Sequence, residues 1–310
     1  MKKEEKSDIC IIGPGRLGLT LAYCFSSGID RGINLVSVSG RREESVSNAE
    51  RIIKKINRKT VFIVNNKEAA RKADCILICV PDDSIKNVCK ELFEKNGITG
   101  EGKTVIHFSG LKGLDVLDAA KSSGASVCCI HPMKSFADYL NSANSIKGTL
   151  FGITYDKKDK KACRTAERIV GFLNGKSIFI ENSSKAIYHA CACMASNYLI
   201  GLLNIVERMG KEIGVRPEIF MEGIISLSQG TIDNIRKLGT NNSLTGPIAR
   251  GDVGTVRNHL ENIKSRMGSN YADVYSLLGR FTADIARENK WIDMRTYNEF
   301  LDLFEIKKLL

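Results

Sequence analysis

Short apolar runs alternate with amphipathic stretches through the first half of the chain. The runs are typical of strands buried on both faces of a sheet, and the stretches between them repeat apolar residues at helical spacing. This alternation predicts an α/β fold with a doubly wound parallel sheet. The runs occupy residues 8–12, 33–38, 60–64, 74–80, 103–108 and 126–131, with further strands expected at 150–155 and 177–180.

The strand pattern stops near residue 182, and the remaining sequence favours long helices, beginning with residues 184–213. A chain of 310 residues is long enough for two domains. The sequence therefore predicts a first, α/β domain over residues 1–182 and an all-α second domain over residues 183–310.

A glycine-rich loop follows the first strand and opens the first helix. Its first glycine permits a tight turn, its second lets the backbone approach a pyrophosphate, and its third lets the helix pack on the strand. The N-terminal amides of the helix then point at the bound anion. The sequence therefore predicts a Rossmann domain that binds a dinucleotide coenzyme through Gly13, Pro14, Gly15, Arg16, Leu17 and Gly18.

The end of the second strand favours NADP(H) over NAD(H). An NAD site usually has an acidic residue there to hold the ribose 2′-hydroxyl, whereas this chain has Ser39, Arg41 and Arg42. No carboxylate repels a 2′-phosphate, and the guanidinium groups can bind it through charge-assisted hydrogen bonds. The alternative is that both arginines are simply solvated at a helix start.

Ligands of open parallel sheets bind at the carboxyl ends of the strands, where several candidate residues are expected. Those that follow strands near the glycine loop are assigned to the coenzyme: Val80, Pro81, His107 and Ser109. Those that end or follow the next strand are assigned to the substrate: His131, Lys134 and Ser135. A purely structural role is the alternative for each histidine.

The helix that begins the second half carries candidates for catalysis. Hydride transfer to a carbonyl places negative charge on oxygen, so the site needs a proton donor or a cation. Lys185 and His189 are four residues apart and should be neighbours, so either is a candidate donor, while Asn197 is a candidate for orienting the substrate. The structural alternatives are a solvated lysine, a hydrogen-bonded core histidine and an amide that holds a loop.

A turn with two glycines and a proline, within residues 244–252, presents Arg250 and Asp252. Both are assigned to the substrate, since a guanidinium binds a carboxylate in a bidentate way and glycine-rich turns are common places for function. The alternative is that the two side chains pair with each other.

The net charge of +11 favours anionic partners. The densest basic run, residues 51–59, has Ile52, Ile53 and Ile56 at helical spacing, which indicates an amphipathic helix. Since no nucleic-acid-binding motif accompanies this charge, we expect a small anionic substrate and no nucleic acid.

Residues 186–206 contain no charged side chain, a length that raises the question of a membrane span. His189 and Asn197 would be costly in lipid, so we expect a helix buried in a core or in a homodimer interface, and no membrane. The ten cysteines show neither paired zinc spacing nor a disulfide framework, and the charged start shows no secretory signal. We therefore expect no metal and a cytoplasmic location.

The chain resembles the Rossmann-like oxidoreductases whose C-terminal half is classed as a domain of unknown function. These are similar to pyrroline-5-carboxylate reductases, ketopantoate reductases and the wider 6-phosphogluconate dehydrogenase superfamily. The resemblance implies a coenzyme domain followed by a helical domain that often mediates dimerisation. It rests on residues 12–18, 80–84, 107–110, 131–136, 188–197 and 245–252.

The resemblance also bears on the chemistry. In the hydroxyacid and ketopantoate branches a helical lysine is followed four residues later by asparagine, whereas here Lys185 is followed by His189. The resemblance implies an NADPH-dependent reductase of a small anionic carbonyl compound, with ketopantoate as the first candidate. An imine reductase of the pyrroline-5-carboxylate type and a non-catalytic NADP(H)-binding sensor are the alternatives.

Overall fold

Eight strands form one sheet within residues 7–28 and 32–304, which are the residues that the computed structural model describes. The strands are β1 (Ser7–Ile12), β2 (Ile33–Ser39), β3 (Val61–Ile63), β4 (Cys75–Ile78), β5 (Thr104–His107), β6 (Ser126–Pro132), β7 (Leu150–Tyr155) and β8 (Lys176–Phe179). They follow the order β3-β2-β1-β4-β5-β6-β7-β8. The first six positions have the order of a Rossmann sheet, so the predicted doubly wound fold is confirmed.

Helices cover both faces of the sheet because successive side chains of a strand point to opposite faces. In β1, Ile9 and Ile11 belong to one buried cluster, whereas Cys10 and Ile12 belong to another. Helices α1, α2 and α7 pack on the first face, and α3, α4 and α5 on the second. The helices of this part are α1 (Arg16–Ser27), α2 (Glu43–Ile53), α3 (Asn66–Arg71), α4 (Asp82–Phe93), α5 (Asp118–Ser122), α6 (Tyr139–Asn144) and α7 (Lys160–Phe172).

Strand β7 departs from the parallel arrangement. It pairs antiparallel with β6. The six strands from β3 to β6 in the sheet order are parallel to one another, and β8 is parallel to β7. Apolar periodicity is the same for both strand directions, so the sequence does not reveal this reversal. The antiparallel register sets His131 opposite Gly152.

The described chain after residue 184 is helical, as predicted. It contains α8 (Lys185–Cys193), a π-helical turn (Met194–Tyr198), α9 (Leu199–Glu212), α10 (Pro217–Asn242), α11 (Val253–Met267), α12 (Ser269–Glu288) and α13 (Met294–Leu303). The chain divides into two compact units, Met1–Ser196 and Asn197–Leu310, so α8 belongs to the first unit. The domain boundary expected between residues 182 and 183 stays a prediction.

The second unit has a core of its own. Val256 of α11, Ala283 of α12 and Phe300 of α13 lie within it. Helix α10 contributes no buried residue, and Ile225 and Leu227 on it are 58% and 68% exposed. A helix with this much exposed apolar surface is typical of a protein interface.

The uncharged segment noted in the sequence lies in helix. The helical stretch Asn182–Glu212 is long and apolar enough, by length and composition, to cross a membrane. Near its start it carries Lys185, whose side chain is buried in the first unit. The expectation that this stretch does not enter a membrane stays a prediction.

Candidate active site

The glycine loop, residues 13–18, closes against the ends of the neighbouring strands. The amide of Gly13 donates a hydrogen bond of 2.7 Å to the carbonyl of Ser39 at the end of β2. Gly13 has a φ of +95°, a conformation that favours glycine. A Cβ at this position would lie 2.8 Å from the carbonyl oxygen of Cys79 and 2.8 Å from Val80 Cγ1, just beyond β4. Gly13 and Val80 therefore meet at the point where the strand order reverses.

Helix α1 begins with an open N-terminus. Gly15 precedes it without a side-chain cap, and its first turn has no acidic residue. Gly15 and Arg16 are exposed, and a Cβ on Gly15 would meet no atom within 4 Å. Because the first amides of a helix have no partner within it, this cradle fits the diphosphate of a dinucleotide.

The two arginines assigned to the 2′-phosphate stand beside this loop. Arg41 and Arg42 are exposed, and α2 begins directly after them. Gly40 packs on the glycine loop, since a Cβ there would lie 2.8 Å from Pro14 Cδ. The end of β2 is thereby held against the loop, and Arg41 and Arg42 follow directly in the chain.

Three other residues assigned to the coenzyme are buried, and their assignment stays a prediction. Ser39 is fully buried and its hydroxyl donates to Asn66 Oδ1 at 2.7 Å. His107 is also fully buried. Ser109 is 5% exposed, and its hydroxyl donates to Asp82 Oδ2 at 2.5 Å. These side chains support the strand ends from within, because each one turns into the sheet or under the following loop.

The side chain of Lys185 reaches the carboxyl ends of β5 and β6. It is 2% exposed, and Nζ donates hydrogen bonds to the carbonyl of Ser109 at 3.0 Å and to Cys129 Sγ at 3.1 Å. Within residues 7–28 and 32–304, no carboxylate oxygen lies within 4.0 Å of Nζ. The alternative of a solvated lysine is wrong, and Nζ is already engaged by protein atoms.

Two histidines meet at the same end of the sheet. The rings of His131 and His189 pack edge to face, with their centroids 5.7 Å apart. A Cβ on Gly110 would lie 2.9 Å from His131 Nε2 and 2.3 Å from His189 Nδ1, so this glycine lets both rings approach. His189 Nδ1 is buried and has no hydrogen-bond partner in the described part of the chain. His189 Nε2 lies 3.6 Å from Cys193 Sγ.

Tyr188 joins this group, although sequence reasoning does not single it out. Its hydroxyl lies 3.1 Å from His131 Nδ1 and 3.4 Å from the His131 carbonyl oxygen. A Cβ on Gly152 would come within 2.6 Å of the hydroxyl, so a glycine on β7 leaves the space for it. The signal in the sequence is the position of Tyr188 between Lys185 and His189 on one helix.

Burial lowers the pKa of both strand-end histidines. The pKa of His131 falls to about 4, mainly through burial and further through His189 and the Lys185 ammonium, while Asp82 opposes the shift. The pKa of His107 falls to about 3, through burial and then through Lys185. Burial also raises the pKa of the Cys129 thiol, against the effect of Lys185. At pH 7 these groups are therefore neutral hydrogen-bonding partners.

Asn197 lies in an irregular part of the helical stretch. Its expected position, at the margin of the helix side that carries Lys185 and His189, assumed a regular rotation of about 100° per residue. Asn197 lies in the π-helical turn, which changes that rotation, and it is exposed within the second unit.

The remaining substrate candidates have local partners or open surroundings. Lys134 donates to Ser145 Oγ at 3.0 Å, and Ser135 is exposed. In the second unit, Asp252 caps α11 by accepting hydrogen bonds from the amide and hydroxyl of Thr255, at 3.0 and 2.6 Å. Arg250 is exposed, and within the described ranges it forms no ion pair with Asp252.

Two family models match the chain. Residues 2–132 match the Rossmann-like domain, and residues 149–282 match a domain of unknown function, DUF2520. The chain joins a Rossmann-like domain to a DUF2520 domain. A comparison with curated protein sequences finds no match.

Solved structures share the fold of this Rossmann-like, DUF2520-containing chain. A protein from Thermotoga maritima is 24% identical with a TM-score of 0.66, over 90% of this chain and 99% of its own. Pyrroline carboxylate reductase from Plasmodium falciparum, with NADP bound, is 14% identical with a TM-score of 0.58, over 92% of this chain and 100% of its own. A reductive aminase from Aspergillus terreus, in complex with NADPH and ethyl-5-oxohexanoate, is 14% identical with a TM-score of 0.61, over 96% of this chain and 99% of its own. At these identities the similarity establishes the fold.

Proposed function

We propose that this protein is an NADP(H)-dependent oxidoreductase that reduces the carbonyl group of a small anionic compound. The observation that carries the proposal is the packing of Gly40 on Pro14, since it brings the segment that leads into Arg41 and Arg42 against the glycine loop, which precedes the open N-terminus of α1. The glycine loop suits a diphosphate, and the arginines suit a 2′-phosphate. Two of the structural neighbours named above hold NADP or NADPH, which supports the same coenzyme here.

The proposed reaction adds a hydride and a proton across a C=O bond. The coenzyme supplies the hydride when bound, and the proton comes from solvent through a polar group of the site. The buried amine of Lys185, with no carboxylate oxygen within 4.0 Å in the described residues, and the net charge of +11 favour an anionic substrate. Ketopantoate (2-dehydropantoate) is the first candidate among the 2-oxo acids.

Imine reduction is a second candidate, and the position of Lys185 favours it. An imine does not need a lysine as its acid, and here Nζ is occupied by Ser109 and Cys129. The reductase and aminase names among the structural neighbours agree with this option. The same hydride and proton are then added across a C=N bond.

The proposal extends to location and assembly. All ten cysteines are free thiols, which suits a reducing cytoplasm. The exposed apolar residues of α10 suit a homodimer, in which a second copy covers them.

The proposed function is tested by following NADPH oxidation with the purified protein. The panel contains 2-oxo acids, including ketopantoate, and cyclic imines, each assayed with NADPH and with NADH. We expect turnover with NADPH on at least one compound and a preference for NADPH over NADH. Coenzyme binding without turnover on any compound would overturn the reductase and favour a sensor of NADP(H).

A further inference from the structure

The accessible nitrogen of the candidate active site belongs to His131. Lys185 Nζ is buried and bonded to two protein atoms, and His189 Nδ1 is buried against Gly110. His131 Nε2 differs from both. It forms no hydrogen bond within the described residues, and it is not fully buried. Of these three nitrogens, His131 Nε2 is therefore the one left open for a hydrogen bond to a ligand.

We propose that Tyr188 is a positioning residue that holds the hydrogen of neutral His131 on Nε2, so that His131 donates a hydrogen bond to the oxygen or nitrogen of the bond that is reduced. This inference rests on the proposed reductase function and assigns the donor role to His131 rather than to Lys185 or His189. Tyr188 acts through His131 and does not itself contact the substrate.

The hydrogen bond between Tyr188 and His131 sets the tautomer. A tyrosine hydroxyl has a single hydrogen, and Oη lies 3.1 Å from His131 Nδ1 and 3.4 Å from the His131 carbonyl oxygen. In the proposal the shorter contact receives this hydrogen, so Nδ1 has none and the neutral ring carries its hydrogen on Nε2. Donation to the carbonyl would instead let Nδ1–H donate to Oη, and the tautomer is what the NMR experiment below measures. The two rings are nearly perpendicular, at 87°, with centroids 5.4 Å apart, which fixes the plane of the imidazole.

Two glycines make this arrangement possible. Gly152, opposite His131 in the register, leaves room for the Tyr188 hydroxyl. Gly110 leaves room for Nε2 of His131 beside the ring of His189. A side chain at either position would displace a ring, so the backbone itself holds the orientation.

A neutral imidazole suits the proposed chemistry. Its Nε2–H strengthens its hydrogen bond as negative charge grows on the reacting atom, and it keeps that hydrogen at neutral pH. Burial and the nearby Lys185 ammonium lower the pKa of His131 to about 4, which supports this form. The charge of Lys185 therefore helps to keep the His131 ring neutral.

Nitrogen-15 NMR of the imidazole rings tests the tautomer directly. The chain has only four histidines, so the His131 signals are assigned by comparison with a His131→Gln variant. In the wild type at pH 7 we expect an unprotonated Nδ1 and a protonated Nε2. In Tyr188→Phe we expect a larger fraction of the Nδ1–H tautomer. A wild-type ring with its hydrogen on Nδ1, or a tautomer ratio unchanged in Tyr188→Phe, would overturn the proposal.

Kinetics provide the second measurement, with a matched control. Tyr275 forms the same kind of bond to His259, with Oη 2.9 Å from Nδ1, in the second unit. We expect Tyr188→Phe to lower kcat about tenfold and His131→Gln to lower it about 100-fold, with little change in the Kd of NADPH. Tyr275→Phe should leave kcat unchanged. Equal kcat losses in Tyr188→Phe and Tyr275→Phe would count against the positioning role.

The proposed reductase function and the assignment of His131 as the donor are tested independently of each other. If no compound of the panel is reduced, the proposed function fails, and the NMR spectrum still decides whether Tyr188 sets the His131 tautomer. If a compound is reduced and the spectrum shows the hydrogen on Nδ1, the reductase stands and the donor assignment fails.

Discussion

The ammonium of Lys185 and the carbonyl of Ser109 form a buried hydrogen bond of 3.0 Å that joins α8 to the segment after β5. This bond also holds a positive charge near His131, where it disfavours the imidazolium form. A lysine expected to act as an acid is therefore placed to tune a neighbouring histidine.

Lys185→Met should raise the pKa of His131 above its value of about 4, because a nearby charge is removed, while burial and His189, the two larger causes, keep it below the ordinary value of 6.5. The measurement is an NMR titration of the His131 ring. Lys86→Met, at an exposed position of α4, is the control and should leave this pKa unchanged. A His131 pKa that stays the same in Lys185→Met would show that Lys185 does not act on this ring.

Arg41→Ala should weaken NADPH binding about 10- to 100-fold, the effect of losing a charge-assisted hydrogen bond of about 1.5 to 3 kcal/mol. NADH binding should change little, because NADH has no 2′-phosphate. Fluorescence titration with each coenzyme measures both Kd values. Arg51→Ala, in the last turn of helix α2 that follows Arg41, is the control. Equal losses for NADPH and NADH would contradict the assignment of Arg41.

Gly15→Ala and Gly18→Ala should separate coenzyme binding from folding. A Cβ on Gly15 enters open space before α1, so this variant should keep its stability within about 1 kcal/mol and lose NADPH affinity. A Cβ on Gly18 would lie 2.1 Å from the Gly13 carbonyl oxygen, so Gly18→Ala should unfold at a clearly lower temperature. Thermal unfolding and NADPH titration check both. Unchanged NADPH affinity in Gly15→Ala would argue against the cradle.

Acidification should destabilise the protein in part through His107. Its pKa is about 3 in the folded protein and 6.5 in its ordinary state, so the unfolded chain binds a proton that the folded chain does not. The free energy of unfolding therefore falls as the pH drops below 6.5, by about 2 kcal/mol between pH 7 and pH 5 for this residue. Urea denaturation at both pH values measures the loss. His107→Gln should show a smaller loss, and a wild type equally stable at both pH values would refute the burial argument.

Leu227→Glu should prevent the proposed homodimer, because it places a charge on the exposed apolar surface of α10. Sedimentation velocity of the wild type should give twice the chain mass of 34.2 kDa, and the variant should give the chain mass. Val61→Glu, at a 56% exposed apolar residue of the first unit, is the control and should remain dimeric. A monomeric wild type would exclude the dimer.

The sequence predicts the fold well because its signals are local. Each buried strand is a continuous apolar run, and the turn at Gly13 needs a residue that tolerates a positive φ. The placement of His131 at a strand end follows from the same pattern. These features depend on neighbouring residues in the chain, so periodicity and turn chemistry reveal them.

The partners of the site residues are less predictable because they come from distant segments. Cys129 and Ser109 engage Lys185 across 56 and 76 positions of sequence. Ser39 ends a strand, and its hydroxyl points inward and donates to Asn66. A single sequence does not tell whether such a hydroxyl points inward or outward. The π-helical turn at Asn197 leaves no clear trace in composition, so helical projection misplaced that residue.

The membership of α8 in the first unit has a mechanical consequence. The anion cradle at Gly15, the ring of His131 and the hydroxyl of Tyr188 all lie in this one compact unit. The spacing between the coenzyme cradle and the histidine is therefore built by contacts within a single unit, and a substitution in the first unit is enough to disturb it.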